Sequence, residues 1–309
     1  MPGTYAALLP YAPAELGDLP PGQVVHVWDG VEPPPPQEVL DTVGFFTLPY
    51  LRTAAALPLL SRMPELQAVQ TLTAGVDDVL PHLPAGTVLC NARGVHEAST
   101  AELTVALILA SLRDIPGFVR GQDAEQWRAG FYPALADRSV LLVGHGAIGT
   151  AIDERLAPFE CRVQRVARSA RQTPYGPVHP LSALGDLLPD ADVVVLVVPL
   201  TEQTRGLAGK DFLGRMKDGA LLVNVARGPV VDTSALLAEL ESGRLRAALD
   251  VTDPEPLPPG HPLWQAPGVL ITPHVGGSSS AFLPRALRLV ASQLRRYAAG
   301  EPLAHRISG

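Results

Sequence analysis

The sequence predicts an α/β protein built from two doubly wound parallel sheets, each with its own core. Three observations lead there. Short apolar runs alternate with helix-sized segments along the chain, the pattern of parallel strands covered on both faces by helices. The run LLVGHGAIG at 141–149 restarts that alternation in mid-chain as a strand entering a glycine turn and a helix. Finally, 309 residues at 47% hydrophobic composition suffice for two cores of ordinary size.

In the first third, VVHVWDG (24–30), TVGFFTL (42–48), LQAVQTL (66–72) and TVLCNA (87–92) read as buried strands. The tetraproline 33–36 must be extended and reads as a stiff surface loop rather than an SH3-type ligand. Residues 101–112 form a long helix in this reading, broken by Pro116 and Gly117. Further strands are predicted at 140–143, 162–166, 193–198, 220–224, 247–250 and 269–272. Helices fall between them, including 149–156, 210–216 and 233–242, and the Pro-rich stretch 254–262 is a loop. The last helix, 282–297, has no obvious place in that second sheet.

Composition excludes several classes. Net charge is −7, pI is near 5.6, and no Lys/Arg run marks a nucleic-acid groove. Cys90 and Cys161 lack metal-ligand spacing and read as buried thiols in a reducing compartment. The N-terminus lacks a signal peptide's basic start and apolar core, and the longest apolar runs are strand-sized. The expectation is a soluble, cytoplasmic protein, without membrane or nucleic-acid partners. The eight histidines show no metal-site spacing, so no metal is expected.

Gly144, Gly146 and Gly149 form a Gly-x-Gly-x-x-Gly turn after an apolar strand, with Ala147, Thr150 and Ala151 small enough for close helix packing. Amides at such a helix start bind pyrophosphate, although similar turns also occur without ligands. His145, inside the turn, reads as a pyrophosphate neighbour or an exposed bystander. Dinucleotide sites usually carry an acidic residue about 20 positions on, which accepts from ribose hydroxyls. In that stretch stand Ala167, Arg168, Ser169 and Arg171, with no acidic residue. The bland reading is a solvated basic turn. The functional one is a pocket for a ribose 2′-phosphate, with cations present and the repelling carboxylate absent.

Three later stretches supply the groups that reduction of a 2-oxo acid requires: VNVARG (223–228), DVTDPEP (250–256) and TPHVGG (272–277). Arg227 follows a strand and can hold a carboxylate bidentately while polarising the neighbouring carbonyl. His274 can give a proton to the carbonyl oxygen, and a carboxylate can hold that imidazole and keep it charged. Glu255 and Asp253 compete for the carboxylate role. His96, His179 and His261 read as structural.

These segments, with LTAGVDDV (72–79), STAELTVALILASLRDIP (99–116), VVVLVVPLTEQTRGL (193–207) and GRLRAALDV (243–251), resemble the D-isomer-specific 2-hydroxyacid dehydrogenase family over nearly the whole chain. Within it they resemble the NADPH-dependent glyoxylate/hydroxypyruvate reductases. The resemblance implies a flavodoxin-like substrate domain, split between 1–97 and 283–309, around a Rossmann cofactor domain at 98–282. It implies a homodimer paired through the cofactor domain and the helix near Ala101.

By the same resemblance Arg227, Glu255 and His274 are catalytic, with Glu255 five residues after Asp250 at the LDV strand end. The amides of Thr73, Ala74 and Gly75 would grip the substrate carboxylate opposite Arg227, and Leu48, Tyr50 and Arg52 would line the side-chain pocket. Asp250 and Thr100 would lie beside the nicotinamide. Other cofactor contacts are implied at Gly144, His145, Gly146, Ala147, Ile148, Gly149, Arg168, Ser169, Arg171, Pro199, Thr204, Ala226 and Gly276. The implied activity is reduction of glyoxylate or hydroxypyruvate to a D-2-hydroxy acid, with NADPH preferred and NAD the lesser alternative, under domain closure. One rival is 3-phosphoglycerate dehydrogenase, which needs extra cations where only Arg52 stands; no regulatory domain is expected after residue 309. A dinucleotide-sensing co-repressor is the other, and it would be free to lose the three catalytic groups.

Overall fold

The computed structural model describes residues 5–307. The chain divides into two compact units, crossing between them at 96/97 and 279/280. These crossings lie one and three residues before the expected 97/98 and 282/283. A helix already begins at Glu97, and Ser279 is tied to Ser99 within the second unit by a 2.6 Å hydroxyl hydrogen bond.

The first unit is a five-stranded parallel sheet. Its strands are β1 (Ala6–Leu9), β2 (Val25–Val27), β3 (Val43–Thr47), β4 (Ala68–Gln70) and β5 (Val88–Cys90), in the spatial order β2-β1-β3-β4-β5. Period-2 alternation sends Leu8, Phe46, Val69 and Leu89 to one face, against helix Thr53–Leu60 and Leu40. Ala7, Leu9, Phe45 and Ala68 go to the other, against helix Phe282–Ala298 through Ala286, Val290, Leu294 and Tyr297. The last helix therefore completes the cover of a sheet face that Leu16, Leu72, Ala92 and Val95 cover only in part. Residues 304–307 follow it along β5, where the Asn91 amide donates to His305 and the Ile307 amide to Leu89.

Two features of this unit escaped the sequence reading. β1 was not recognised: it is a four-residue run, AALL, and it occupies the second position in the sheet. Leu48, expected at a substrate pocket, is 1% exposed and packs in the core. The tetraproline is extended and largely exposed, with Pro36 at φ −63° and ψ 158°.

Gln293 locks the returning helix. It is fully buried; its Nε2 donates to Gln70 Oε1 at 2.7 Å and to the Ala304 carbonyl at 2.8 Å, while its Oε1 accepts the Ala304 amide at 2.9 Å. Gln293→Leu leaves the buried Gln70 oxygen and the partly buried Ala304 backbone groups without these partners. The expected cost is about 1–3 kcal/mol, read as a lower melting transition for this unit in calorimetry. An unchanged transition would mean that the network adds nothing.

The second unit holds eight strands: β6 (Ser139–Val143), β7 (Arg162–Ala167), β8 (Arg171–Thr173), β9 (Gly176–Pro180), β10 (Val193–Leu196), β11 (Leu221–Asn224), β12 (Arg246–Leu249) and β13 (Val269–Ile271). The order is β13-β12-β11-β10-β6-β7-β9-β8, parallel throughout except for β8 against β9. Helices Glu97–Leu112 and Ala147–Leu156 bury Ala101, Ile108 and Ile152 against Val140, Leu142, Val195 and Val223 on one face. Helices Lys210–Arg215 and Thr233–Glu241 cover Leu141, Val194 and Leu222 on the other with Phe212, Leu213 and Leu236.

The strand order reverses at β6, which has β7 on one side and β10 on the other. Ligands of open α/β sheets bind beyond the carboxyl ends of the strands at such a point. Those ends are in register: Val143 pairs with Val166 and Leu196, Leu196 with Asn224, Asn224 with Leu249, and Leu249 with Ile271.

Pro116 and Gly117 do not break the long helix. It ends at Leu112, Asp114 turns left-handed at φ 53°, and Pro116 sits in the first turn of a new helix, Ile115–Asp123, where a missing N–H costs nothing. Cys161 is only half-buried, whereas Cys90 is buried and burial pushes its thiol up to about 11. Among the described residues, no helix is long and apolar enough to cross a membrane.

Candidate active site

The loops after β11, β12 and β13 leave one edge of the sheet side by side and carry Arg227, Glu255 and His274. Asn224, at the end of β11, bridges its loop: Oδ1 accepts the Ala226 amide and Nδ2 donates to the Arg227 carbonyl, both at 3.0 Å. Gly228 then presses against the loop after β12. A Cβ there would meet the Thr252 carbonyl oxygen at 1.8 Å, so only glycine allows the Arg227 loop to approach this closely. The segment it touches continues directly to Glu255.

Asp250 builds the third loop. Its buried carboxylate accepts from Thr272 Oγ1 at 2.6 Å and from the amides of Val275 and Gly276, both at 2.9 Å. The Asp250 carbonyl takes the His274 amide at 2.8 Å, and His274 sits in the left-handed region at φ 53°. Asp250 was expected beside the nicotinamide; its side chain is engaged with the His274 loop.

The result is a close pair, His274 Nδ1 to Glu255 Oε1 at 2.5 Å, with both side chains partly exposed. The hydrogen bond from Glu255 raises the His274 pKa; burial opposes this, and the Glu255 charge adds to it. Burial works to raise the Glu255 carboxyl, but the hydrogen bond and charge of His274, the Thr252 backbone and the Arg227 charge together hold it below the usual range. Since Nδ1 faces Glu255, Nε2 is the nitrogen that can pass a proton. Asp253 is exposed, and its carbonyl accepts from Thr233 Oγ1.

The glycine turn lies at the carboxyl end of β6. Gly144, at φ 111°, has no room for a side chain beside the Val197 carbonyl, 2.5 Å from a built Cβ, and Gly149 has none beside the Gly144 carbonyl at 2.3 Å. Gly146 is exposed and a Cβ there meets nothing within 4 Å, which leaves the first amides of helix Ala147–Leu156 open to an anion. Ala147 and Ile148 are half-exposed at that helix start. A pyrophosphate fits this cradle.

Ala167 ends β7, and Arg168 and Ser169 follow in an exposed bend. Arg171 starts β8 and reaches back to the glycine turn, where its Nη2 donates to the His145 carbonyl. The β8–β9 hairpin was missed because its strands are short and only Val178 of them is buried. His145 is not an exposed bystander: it is 5% exposed and hydrogen-bonded to Asp153.

Thr100 is buried, with its side chain close to Gly276. Ala226 is buried and its carbonyl accepts from Arg227 Nη1. Thr204 is used within its own loop, where Oγ1 donates to the exposed Pro199's carbonyl at 2.6 Å and accepts the Thr201 amide. In the first unit, the Thr73–Gly75 turn is braced by Asn91 Nδ2 on the Ala74 carbonyl and by the Ala92 amide on the Thr73 carbonyl. Tyr50, Phe282 and His96 stack on one another, with Tyr50 4.0 Å from Phe282 and 5.6 Å from His96, and Arg52 is exposed. His96 Nε2 bonds the Leu72 carbonyl, and His261 Nδ1 accepts the Leu263 amide.

A doubly wound sheet with an anion cradle at its switch point and an arginine beside a histidine–carboxylate pair defines a dinucleotide-dependent oxidoreductase. Residues 105–276 match the NAD binding domain of the D-isomer specific 2-hydroxyacid dehydrogenases. A glyoxylate reductase of Aeropyrum pernix is 34% identical over 296 residues, covering 90% of this chain and 87% of that protein. A formate dehydrogenase of Arabidopsis thaliana is 34% identical over 245 residues, 74% of this chain and 63% of that one. Among solved structures, an NADPH-dependent glyoxylate/hydroxypyruvate reductase from Sinorhizobium meliloti, in complex with NADP and sulfate, matches with a TM-score of 0.84. That match has 27% identity and covers 98% of each chain. The chain belongs to the D-isomer specific 2-hydroxyacid dehydrogenase family: it is an oxidoreductase using a nicotinamide dinucleotide.

The pair predicts a pH profile. With His274 as the proton donor in reduction, the raised pKa keeps it protonated further toward alkaline pH, so kcat/KM should fall only above that pKa. Glu255→Gln removes the charge that raises it, and the falling limb should move to lower pH; Asp253→Asn should leave the limb in place. If Glu255→Gln lowers turnover without moving the limb, Glu255 is not the partner.

Proposed function

We propose that the protein reduces a small 2-oxo acid, glyoxylate or hydroxypyruvate, to the D-2-hydroxy acid, with NADPH preferred over NADH. The observation that carries this reading is the 2.5 Å His274–Glu255 hydrogen bond within reach of the Arg227 charge. The cofactor's nicotinamide supplies the hydride. Arg227 pairs with the substrate carboxylate through its planar fork and polarises the adjacent carbonyl. His274 donates from Nε2 to the oxygen that becomes the hydroxyl, while Glu255 holds Nδ1 and stabilises the imidazolium. Formate oxidation, the chemistry in the Arabidopsis relative's name, leaves no hydroxyl whose proton must be moved, so such a pair would have no task in it.

The cofactor preference is supported by Ala167 at the end of β7, where a carboxylate would repel a 2′-phosphate, and by Arg168, Ser169 and Arg171 after it. A second copy of the chain is the proposed partner. The segment after helix Ile115–Asp123 exposes Trp127 at 97% and Phe131 at 108%, a cost that burial against another copy would remove. A cytoplasmic setting accords with the two free cysteines.

The test follows nicotinamide absorbance with glyoxylate, hydroxypyruvate, pyruvate, 3-phosphohydroxypyruvate and formate. Wild type should turn over the first two best. kcat/KM should favour NADPH by about tenfold or more, the worth of one screened charge-assisted hydrogen bond, and Ala167→Asp with Arg168→Ala should shift the preference toward NADH. His274→Ala should cut turnover by about 10²–10⁴-fold, and Arg227→Lys should lose most activity despite keeping its charge. Equal use of NADH by wild type would overturn the cofactor preference, and absence of 2-oxo acid turnover would overturn the function.

A further inference from the structure

Beneath the glycine turn lies a buried charged set that the chemistry above does not use. Asp153, on helix Ala147–Leu156, is 2% exposed. It binds Arg165 of β7 through two hydrogen bonds, Nε to Oδ2 at 2.5 Å and Nη2 to Oδ1 at 2.8 Å. The same Oδ2 lies 3.0 Å from His145 Nε2. On its other side the imidazole presents Nδ1 to Arg171 Nη2 at 3.4 Å, and that nitrogen also donates to the His145 carbonyl.

A guanidinium only donates, so His145 Nδ1 is an acceptor and its ring proton is on Nε2, directed at Asp153. Each link then fixes the next. Arg165 fixes the carboxylate, the carboxylate fixes the imidazole's proton and plane, and the imidazole offers Arg171 an acceptor beside the carbonyl of the same residue. Arg171 is otherwise a side chain on an exposed edge strand, with several rotatable bonds to restrain.

We infer that Asp153 and His145 are positioning residues for Arg171, holding its guanidinium at the glycine turn after β6 so that the chain selects a 2′-phosphorylated ribose. This rests on the NADPH reading proposed above and adds to it the residues that confer the selectivity. It also assigns a role to a histidine placed within a turn whose outer face is left to the pyrophosphate.

Equilibrium binding to the full-length protein, by calorimetry with 2′,5′-ADP and 5′-ADP, tests it without turnover. Wild type should bind 2′,5′-ADP about tenfold or more tightly, and Arg171→Ala should bring the affinity ratio down several-fold. His145→Leu leaves Asp153 paired with Arg165, so no buried charge is orphaned, and it should lower the ratio nearly as far as Arg171→Ala. His145→Asn retains an acceptor near the Nδ1 position and should recover most of it. In the Arg171→Ala background, His145→Leu should add nothing, because the two act through one contact. A wild-type ratio near one overturns the NADPH reading, and this inference with it. A normal wild-type ratio that Arg171→Ala lowers and His145→Leu does not overturns the positioning role alone, as does a fully additive double variant.

Discussion

Asp250 is the constraint on which the catalytic arrangement depends. A buried carboxylate is costly unless its oxygens are satisfied, and all three of its partners belong to one loop: the Thr272 hydroxyl and the Val275 and Gly276 amides. Its own carbonyl receives the His274 amide. His274 takes φ 53°, a left-handed conformation uncommon for a non-glycine residue that its hydrogen-bonded surroundings help to hold. Asp250 provides those surroundings from the end of the neighbouring strand. It thus aims the imidazole without touching it.

Sheet register explains why three segments distant in sequence converge. β11, β12 and β13 are adjacent and parallel, and their last residues pair across Asn224, Leu249 and Ile271. Whatever follows each strand must emerge at the same edge. Gly228 closes the remaining gap by letting the Arg227 loop rest on the Thr252 carbonyl. The electrostatics follow from that packing. Arg227 favours the Glu255 carboxylate and opposes the His274 charge, while Glu255 reverses the second effect by bonding the imidazole directly.

Much of this was legible in the residues because period and punctuation carry it. Buried parallel strands are continuous apolar runs, and the glycine turn has few alternatives after such a run. The failures also have physical causes. β1 is short and ends at Pro10. The β8–β9 hairpin lies at an exposed edge, where no apolar run is needed. Pro116 reads as a terminator, but proline is equally at home in a helix's first turn. Composition could not rank Glu255 over Asp253; the family spacing after Asp250 favoured Glu255, and the fold brings that residue to His274. Nor did the glycine motif reveal that His145 turns inward, because its partner Asp153 lies two helical turns away and looks like an ordinary helix acid.

The same geometry weighs against a purely dinucleotide-sensing role. A histidine–glutamate pair with both side chains some 40% exposed contributes little to stability. Yet a buried carboxylate, a left-handed histidine and a glycine with no space for a methyl group all serve to place that pair beside an arginine. A protein that only reported bound dinucleotide would need the cradle at β6 and could relax the rest, as strain without a task is readily lost to substitution. The phosphoglycerate alternative meets a different obstacle. Its extra phosphate calls for added cations in the first unit, where the sequence reading found only Arg52. In the function proposed above, this constraint falls on the proton donor and the carboxylate fork that reduction of an unphosphorylated 2-oxo acid requires.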